Sequence, residues 1–226
     1  MITTLLIGSI FWFFVINLFD KLNKQTLGWS LATAMLTGIM AYQPAAWLNS
    51  LFLNTFEMNI NAVDIPKIMV IAYSAWVGVN EEFIKFFVTY VFLTNCVRYK
   101  TPKQGYIYAA CAGLGFALVE NFFYLQWLNE QTLFMRLCTS TPLHISLALI
   151  WASGINKTYF FSGSIIKNSK FFVIGAALIH AFYNYVAISS DSITESAIKT
   201  FCVSFVACLI AFYLINKQPT KPAYTD

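Results

Sequence analysis

Residues 65–95 read IPKIMVIAYSAWVGVNEEFIKFFVTYVFLTN. A helix needs about 20 apolar residues to cross a bilayer, and this run is longer than that. Yet it carries Glu81, Glu82 and Lys85 in its middle. Ionised side chains at that depth cost about 2.5–3.5 kcal/mol each on insertion scales, so such residues mark function. A third glutamate, Glu120, sits inside the next apolar run, and the chain's 2 histidines, His144 and His180, fall in the two runs after that.

Composition agrees with a membrane protein. The chain has 226 residues, 58% hydrophobic and 11% charged. A soluble domain carries about 25% charged residues, so this chain has too little polar surface to cover itself. We read it as one integral membrane domain over 1–226. The net charge of +4 comes without a basic, aromatic-interleaved cluster, which excludes a nucleic-acid partner. The 5 cysteines show no CxxC pairing and read as small packing residues rather than a disulfide or zinc framework. The first apolar run has no basic residue before it and no small-residue cleavage site after it, so it reads as an uncleaved span.

Apolar stretches occur at about residues 1–19, 28–53, 66–97, 105–129, 138–156, 170–190 and 196–216. They predict an all-α polytopic protein of about seven transmembrane helices, or eight if a long span is broken. The second run could end early near Pro44, and the third could break near Gly78. The basic residues orient the bundle. Lys21, Lys24, Arg98, Lys100, Lys103, Lys157, Lys167, Lys170, Lys217 and Lys221 all fall on one side, against Lys67, Arg136 and Lys199 on the other. The N-terminus is therefore expected outside and the C-terminus in the cytoplasm. At 1.5 Å per residue, Glu81, Glu82 and Glu120 each lie roughly 22 Å along their spans. His180 comes slightly shallower, and His144 falls near the outer end of span five. Gly113, Gly115 and Gly175 leave room for close helix contact beside this group.

The residue types narrow the chemistry. All 4 aspartates fall in loops or the tail, which rules out an aspartic intramembrane protease. Ser153-Gly154 lacks the elbow glycine of a GxSG serine site, and no HExxH is present. What remains is Glu81, Glu82, Glu120, His144 and His180. A buried carboxylate can take a proton from water, and an imidazole or a metal can position that water and polarise a carbonyl. Asn184, one turn from His180, could donate to an oxyanion. Glu120, His144 and His180, with Glu81, would also satisfy zinc or another divalent ion, which takes about three protein ligands when catalytic. Glu81 and Lys85 are spaced as an i,i+4 ion pair. Arg136 reads as a snorkelling boundary residue, and the Trp and Phe abundance as lipid-facing surface.

Four short motifs then appear in order: EEFIK (Glu81–Lys85), GFALVEN (Gly115–Asn121), Pro142-Leu143-His144 and HAFYN (His180–Asn184). Together they resemble the PrsW family of intramembrane proteases, within the superfamily of CAAX prenyl endopeptidases and bacteriocin-processing proteins. The resemblance covers about 70–190, the catalytic core. It implies an endopeptidase cutting a membrane-anchored protein such as an anti-sigma factor on the extracytoplasmic side. The superfamily has been described as both glutamate-type and metal-dependent. The second motif ends in Glu120 rather than the wider superfamily's histidine, and the first carries Lys85 where an arginine is usual. The implied catalytic set is Glu81, Glu82, Glu120, His180 and Asn184. Two other readings compete. A proton-coupled transporter or channel also uses buried Glu and His, though as a ladder across the bilayer rather than a cluster at one depth. A non-catalytic membrane scaffold could retain the same residues.

Overall fold

The computed structural model describes residues 1–23, 28–59, 65–96, 100–161 and 163–217. Lys24, Arg98 and Lys221, used above to orient the chain, lie outside them, as does Asp64. Among the described residues there are seven helices and no strand: α1 (Ile2–Asn23), α2 (Gly28–Thr55), α3 (Lys67–Asn95), α4 (Pro102–Tyr124), α5 (Glu130–Phe161), α6 (Ile165–Ser189) and α7 (Ile193–Lys217). Four of them, α4 to α7, are long and apolar enough to cross a membrane. The apolar part of α1 is shorter, Ile2–Leu18.

The two suspected breaks do not occur. Helix α2 runs through Pro44 and α3 runs through Gly78 without interruption. Helix α5 begins at Glu130 rather than near 138, so Arg136 lies inside the helix and His144 sits near its middle. Proline is tolerated in such helices because neighbouring groups satisfy the carbonyl it cannot serve.

Helices α4 and α5 form the centre of the bundle. Residues Gly105–Ala117 are all buried, as is most of Thr139–Asn156. Helices α1, α6 and α7 instead turn rows of large apolar side chains outward, among them Leu6, Ile10, Phe14, Phe171, Leu178, Phe201 and Phe205. In water such a surface would associate; in lipid it is the solvent-facing side.

Small residues set how closely the helices approach. A Cβ on Gly78 would stand 2.5 Å from Ala177 O, so α6 lies directly on α3 at that point. A Cβ on Gly113 would stand 2.6 Å from His144 O, and one on Gly115 2.0 Å from Met35 O. These contacts pull α5 and α2 onto α4 where the ionisable residues lie. Gly175 plays no such part, because nothing lies within 4 Å of its Cβ position. Gly78→Leu is therefore expected to push α6 off α3 and to destabilise the protein by at least about 1–3 kcal/mol, the usual overpacking cost. Gly175→Ala is expected to be neutral or slightly stabilising. Thermal unfolding in detergent, compared between the two variants, checks this.

Candidate active site

Every ionisable residue singled out in the sequence reaches one region between α3, α4, α5 and α6. Glu82 on α3 is fully buried. Its carboxylate forms an ion pair with Lys85 one turn on. The same oxygen lies 2.8 Å from His180 Nδ1 of α6, and the other accepts from Trp151 Nε1 of α5 (3.1 Å). The expected Glu81–Lys85 pair is thus replaced by Glu82–Lys85, because the i,i+3 spacing turns Glu82 and Lys85 into the same interior. Trp151 is completely buried. It is an exception to the lipid-facing reading of the tryptophans.

Glu120 on α4 meets a second cation. Arg136 Nη2 of α5 donates to Glu120 Oε2 (2.6 Å), and Arg136 Nε donates to Asn121 Oδ1 (2.8 Å). Its guanidinium also lies 4.1 Å from the Tyr124 ring centroid. Arg136 therefore turns into the bundle instead of snorkelling to the boundary, since a buried carboxylate there gives it a partner. His144 bridges the two clusters: Nε2 lies 3.0 Å from Glu120 Oε2 and Nδ1 lies 2.8 Å from Lys85 Nζ. The Phe116 ring covers both, 4.3 Å from Lys85 Nζ and 5.3 Å from the His144 ring.

Glu81 is different. Its Oε1 accepts from the neutral amide of Asn49 on α2 (3.0 Å), and Asn49 Oδ1 in turn accepts from Asn80 (2.8 Å). Its Oε2 is buried with no hydrogen-bond partner. The nearest basic atom, His180 Nε2, is 3.7 Å away, beyond hydrogen-bond reach. Three carboxylates share two cations here, and Glu81 is the one left over.

Glu81 also lines a cavity of about 470 Å³, together with Glu120, His144, His180 and Asn184. Asn184 Nδ2 also has no partner, although the residue stands one turn from His180 as expected. The cavity reaches Ser190 and Ser192 at the α6–α7 turn. It therefore extends toward the bundle end that holds the α2–α3, α4–α5 and α6–α7 connections. Glu81 and Asn184 thus each keep one buried polar atom without a hydrogen-bond partner among the residues that line this cavity.

Three residues of the site were not read from sequence: Trp151, Asn49 and Tyr183, whose hydroxyl pairs with Thr139 (2.9 Å). Trp151 had a usable signal, since it follows His144 by about two turns on the same face. Tyr183 stands inside the HAFYN motif, and Asn49 had no signal beyond being polar in an apolar run.

A metal can be tested against this donor set. Glu81, His144 and His180 each offer a ligand atom, and the three atoms lie within 4.8 Å of one another. Two histidines and a carboxylate are a donor set of catalytic zinc. Glu81 and His180 meet its needs: one has an oxygen without a partner, and the other turns Nδ1 to the Glu82 carboxylate with Nε2 toward Glu81, the arrangement of ligating histidines. His144 does not, because its Nδ1 faces the Lys85 ammonium and its Nε2 faces Glu120. Glu120, expected as a ligand, stands outside the group and is held by Arg136. The residues fit an ion at two of the three positions, which falls short of a catalytic set.

Arg136→Met should cost about 3–5 kcal/mol, because it strands a mostly buried carboxylate. Adding Glu120→Gln should recover most of that loss. Chemical unfolding of the single and double variants measures it.

Comparison with known proteins follows the same residues. A family model described as PrsW family intramembrane metalloprotease matches residues 26–215. The chain is similar to Protease PrsW of Geobacillus kaustophilus, 26% identical over 115 residues that make up 49% of each chain. It is also similar to Protease PrsW of Oceanobacillus iheyensis, 24% identical over 179 residues, 79% of each. The matched region thus spans about half the length of the first relative and about four fifths of the second. No solved structure matches. With a family match that spans all four motifs and nearly every helix, the chain belongs to the PrsW family of intramembrane proteases.

Proposed function

We propose that this protein is an intramembrane endopeptidase that hydrolyses a peptide bond with a water activated by Glu81. The observation that carries the reading is the unpartnered Oε2 of Glu81, a residue that lines a cavity between membrane helices. In the proposed step, Glu81 takes a proton from water as the water oxygen bonds to the scissile carbonyl carbon. The carbonyl π electrons move to oxygen. Asn184 Nδ2–H and an imidazole N–H offer that oxyanion hydrogen bonds, the use that best explains an unpaired amide in the cavity. Collapse of the tetrahedral carbon breaks the C–N bond, and the proton on Glu81 passes to the leaving amine. Glu82 acts through His180 rather than on substrate, which makes it a positioning residue. Glu120 and Arg136 close one wall of the cavity.

The family description names a metal. The donor set here fits one incompletely, and no step above runs through it. The substrate is a membrane-anchored protein, of the anti-sigma-factor type the resemblance implies. All seven helices cross the bilayer in this reading, with the N-terminus outside and the C-terminus in the cytoplasm. The cavity then faces the extracytoplasmic half. A phosphatase reporter fused after Lys217 should be inactive; an active one would reverse the orientation.

Glu81→Gln should reduce cleavage of a membrane-anchored peptide by at least about 10²-fold, the usual range for a general base, with unchanged thermal unfolding. Unimpaired cleavage would remove this mechanism. Purified wild-type protein should keep its activity after chelation. A stoichiometric ion, lost together with activity in His144→Ala, would replace the glutamate reading with a metal-dependent one.

A further inference from the structure

The two histidines share a geometry with opposite polarity. Each presents Nδ1 to a charged residue of α3 and Nε2 toward other groups of the site. His180 Nδ1 lies 2.8 Å from Glu82 Oε1. His144 Nδ1 lies 2.8 Å from Lys85 Nζ. Glu82 and Lys85 are themselves an ion pair, so the carboxylate is an acceptor and the ammonium a donor. An imidazole placed against a carboxylate must carry its proton on the facing nitrogen. An imidazole placed against an ammonium must offer a lone pair there, and a neutral ring then carries its proton on the other nitrogen.

We infer that Lys85 and Glu82 lock the two histidines in opposite tautomers, His144 as an Nε2–H donor and His180 as an Nε2 acceptor, so that the rings take opposite halves of the hydrolytic step. The Nε2 surroundings agree with both assignments. His144 Nε2 faces Glu120 Oε2 at 3.0 Å, an acceptor for its proton. That oxygen also takes Arg136, so it is an anion already satisfied by a cation. A carbonyl oxygen entering the cavity competes with it for the same N–H. His180 Nε2 faces the unpartnered Glu81 Oε2 at 3.7 Å, with no hydrogen bond between them. A water that reaches both atoms from the cavity side can donate one proton to the His180 lone pair and the other to the Glu81 carboxylate. His180 therefore helps Glu81 hold the water, and His144 polarises the carbonyl.

The assignment gives Lys85 a role beyond charge balance. It is a positioning residue that acts through His144. It also explains why His144 suits a metal poorly. A ring whose Nδ1 lone pair is taken by an ammonium would have to become an imidazolate to bind an ion at Nε2. The tautomers are properties of the site alone; only their use in catalysis rests on the peptidase reading.

With 2 histidines in the chain, the test is direct. Ring-¹⁵N-labelled protein in lipid nanodiscs gives two imidazole spin systems in a long-range ¹H–¹⁵N correlation spectrum, and His144→Gln assigns them by deletion. The expected spectrum shows His144 protonated at Nε2 and His180 protonated at Nδ1, unchanged after chelation. Two rings with the same tautomer, or a His144 nitrogen with a metal-bound shift, would overturn the inference whether or not the protein cleaves peptides. Lys85→Met should shift His144 away from the Nε2–H form and lower kcat on the order of 10²-fold with little change in KM, the size of losing one oxyanion donor. Lys85→Arg keeps a donor at that place and should restore the tautomer. A His144 spectrum in Lys85→Met identical to wild type would count against Lys85. If Lys85→Met fails to fold, the wild-type spectrum alone decides.

Discussion

The Glu82 carboxylate is the interaction on which the rest of the site depends. It is a fully enclosed charge in an apolar bundle. Bringing such a group out of water costs several kcal/mol even after relaxation, and that is recovered only with excellent geometry and complete hydrogen bonding. Glu82 obtains both from three helices at once: Lys85 of α3, Trp151 of α5 and His180 of α6. Removing any of them leaves a buried acceptor short of a donor. The carboxylate thus fixes the relative rotation of α3, α5 and α6, and with it the directions of both histidines. Gly78, one turn before Glu82, lets α6 come close enough for His180 to reach it.

Around this hub the charges are unequal. Glu82 has Lys85 and Glu120 has Arg136, while Glu81 has only a neutral amide. The imbalance sets Glu81 apart from the two ion-paired carboxylates, and the proposed base rests on it. A satisfied carboxylate is a poor base, because taking a proton means giving up a cation. Glu81 gives up nothing of the kind. It is also the carboxylate that lies 3.7 Å from His180 Nε2, and it lines the same cavity as Asn184, whose amide Nδ2 has no partner. A proton ladder through the membrane would need such groups at successive depths. Here they gather in one cavity that extends toward one end of the bundle.

Much of this was legible in the sequence because the membrane makes polarity informative. In a chain with 11% charged residues, each ionisable group inside an apolar run has to be accounted for, so Glu81, Glu82, Glu120, His144 and His180 stood out without structure. Each of the seven apolar runs corresponds to one of the seven helices among the described residues, four of which are long and apolar enough to cross a membrane. What was not legible was pairing. Lys85 is three residues from Glu82 and four from Glu81, and helix geometry permits either partner; the position of α5 and α6 decides it. Arg136 looked like a boundary residue because α5 extends further toward its N-terminus than the apolar run does. Pro44 and Gly78 looked like breaks because local propensity weighs against them, but packing against α4 and α6 overrides it. Glycine spacing was informative only where a second helix was present, as at Gly113 and not at Gly175.

The central claim is that a water held by Glu81 supplies the oxygen that cuts the chain. A single turnover of the purified protein in H₂¹⁸O, with substrate held below enzyme, tests it by mass spectrometry of both partners. The account predicts one heavy oxygen in the new C-terminal carboxylate of the product and none in the enzyme. An unlabelled product with the heavy oxygen on Glu81 would make Glu81 a nucleophile and contradict it.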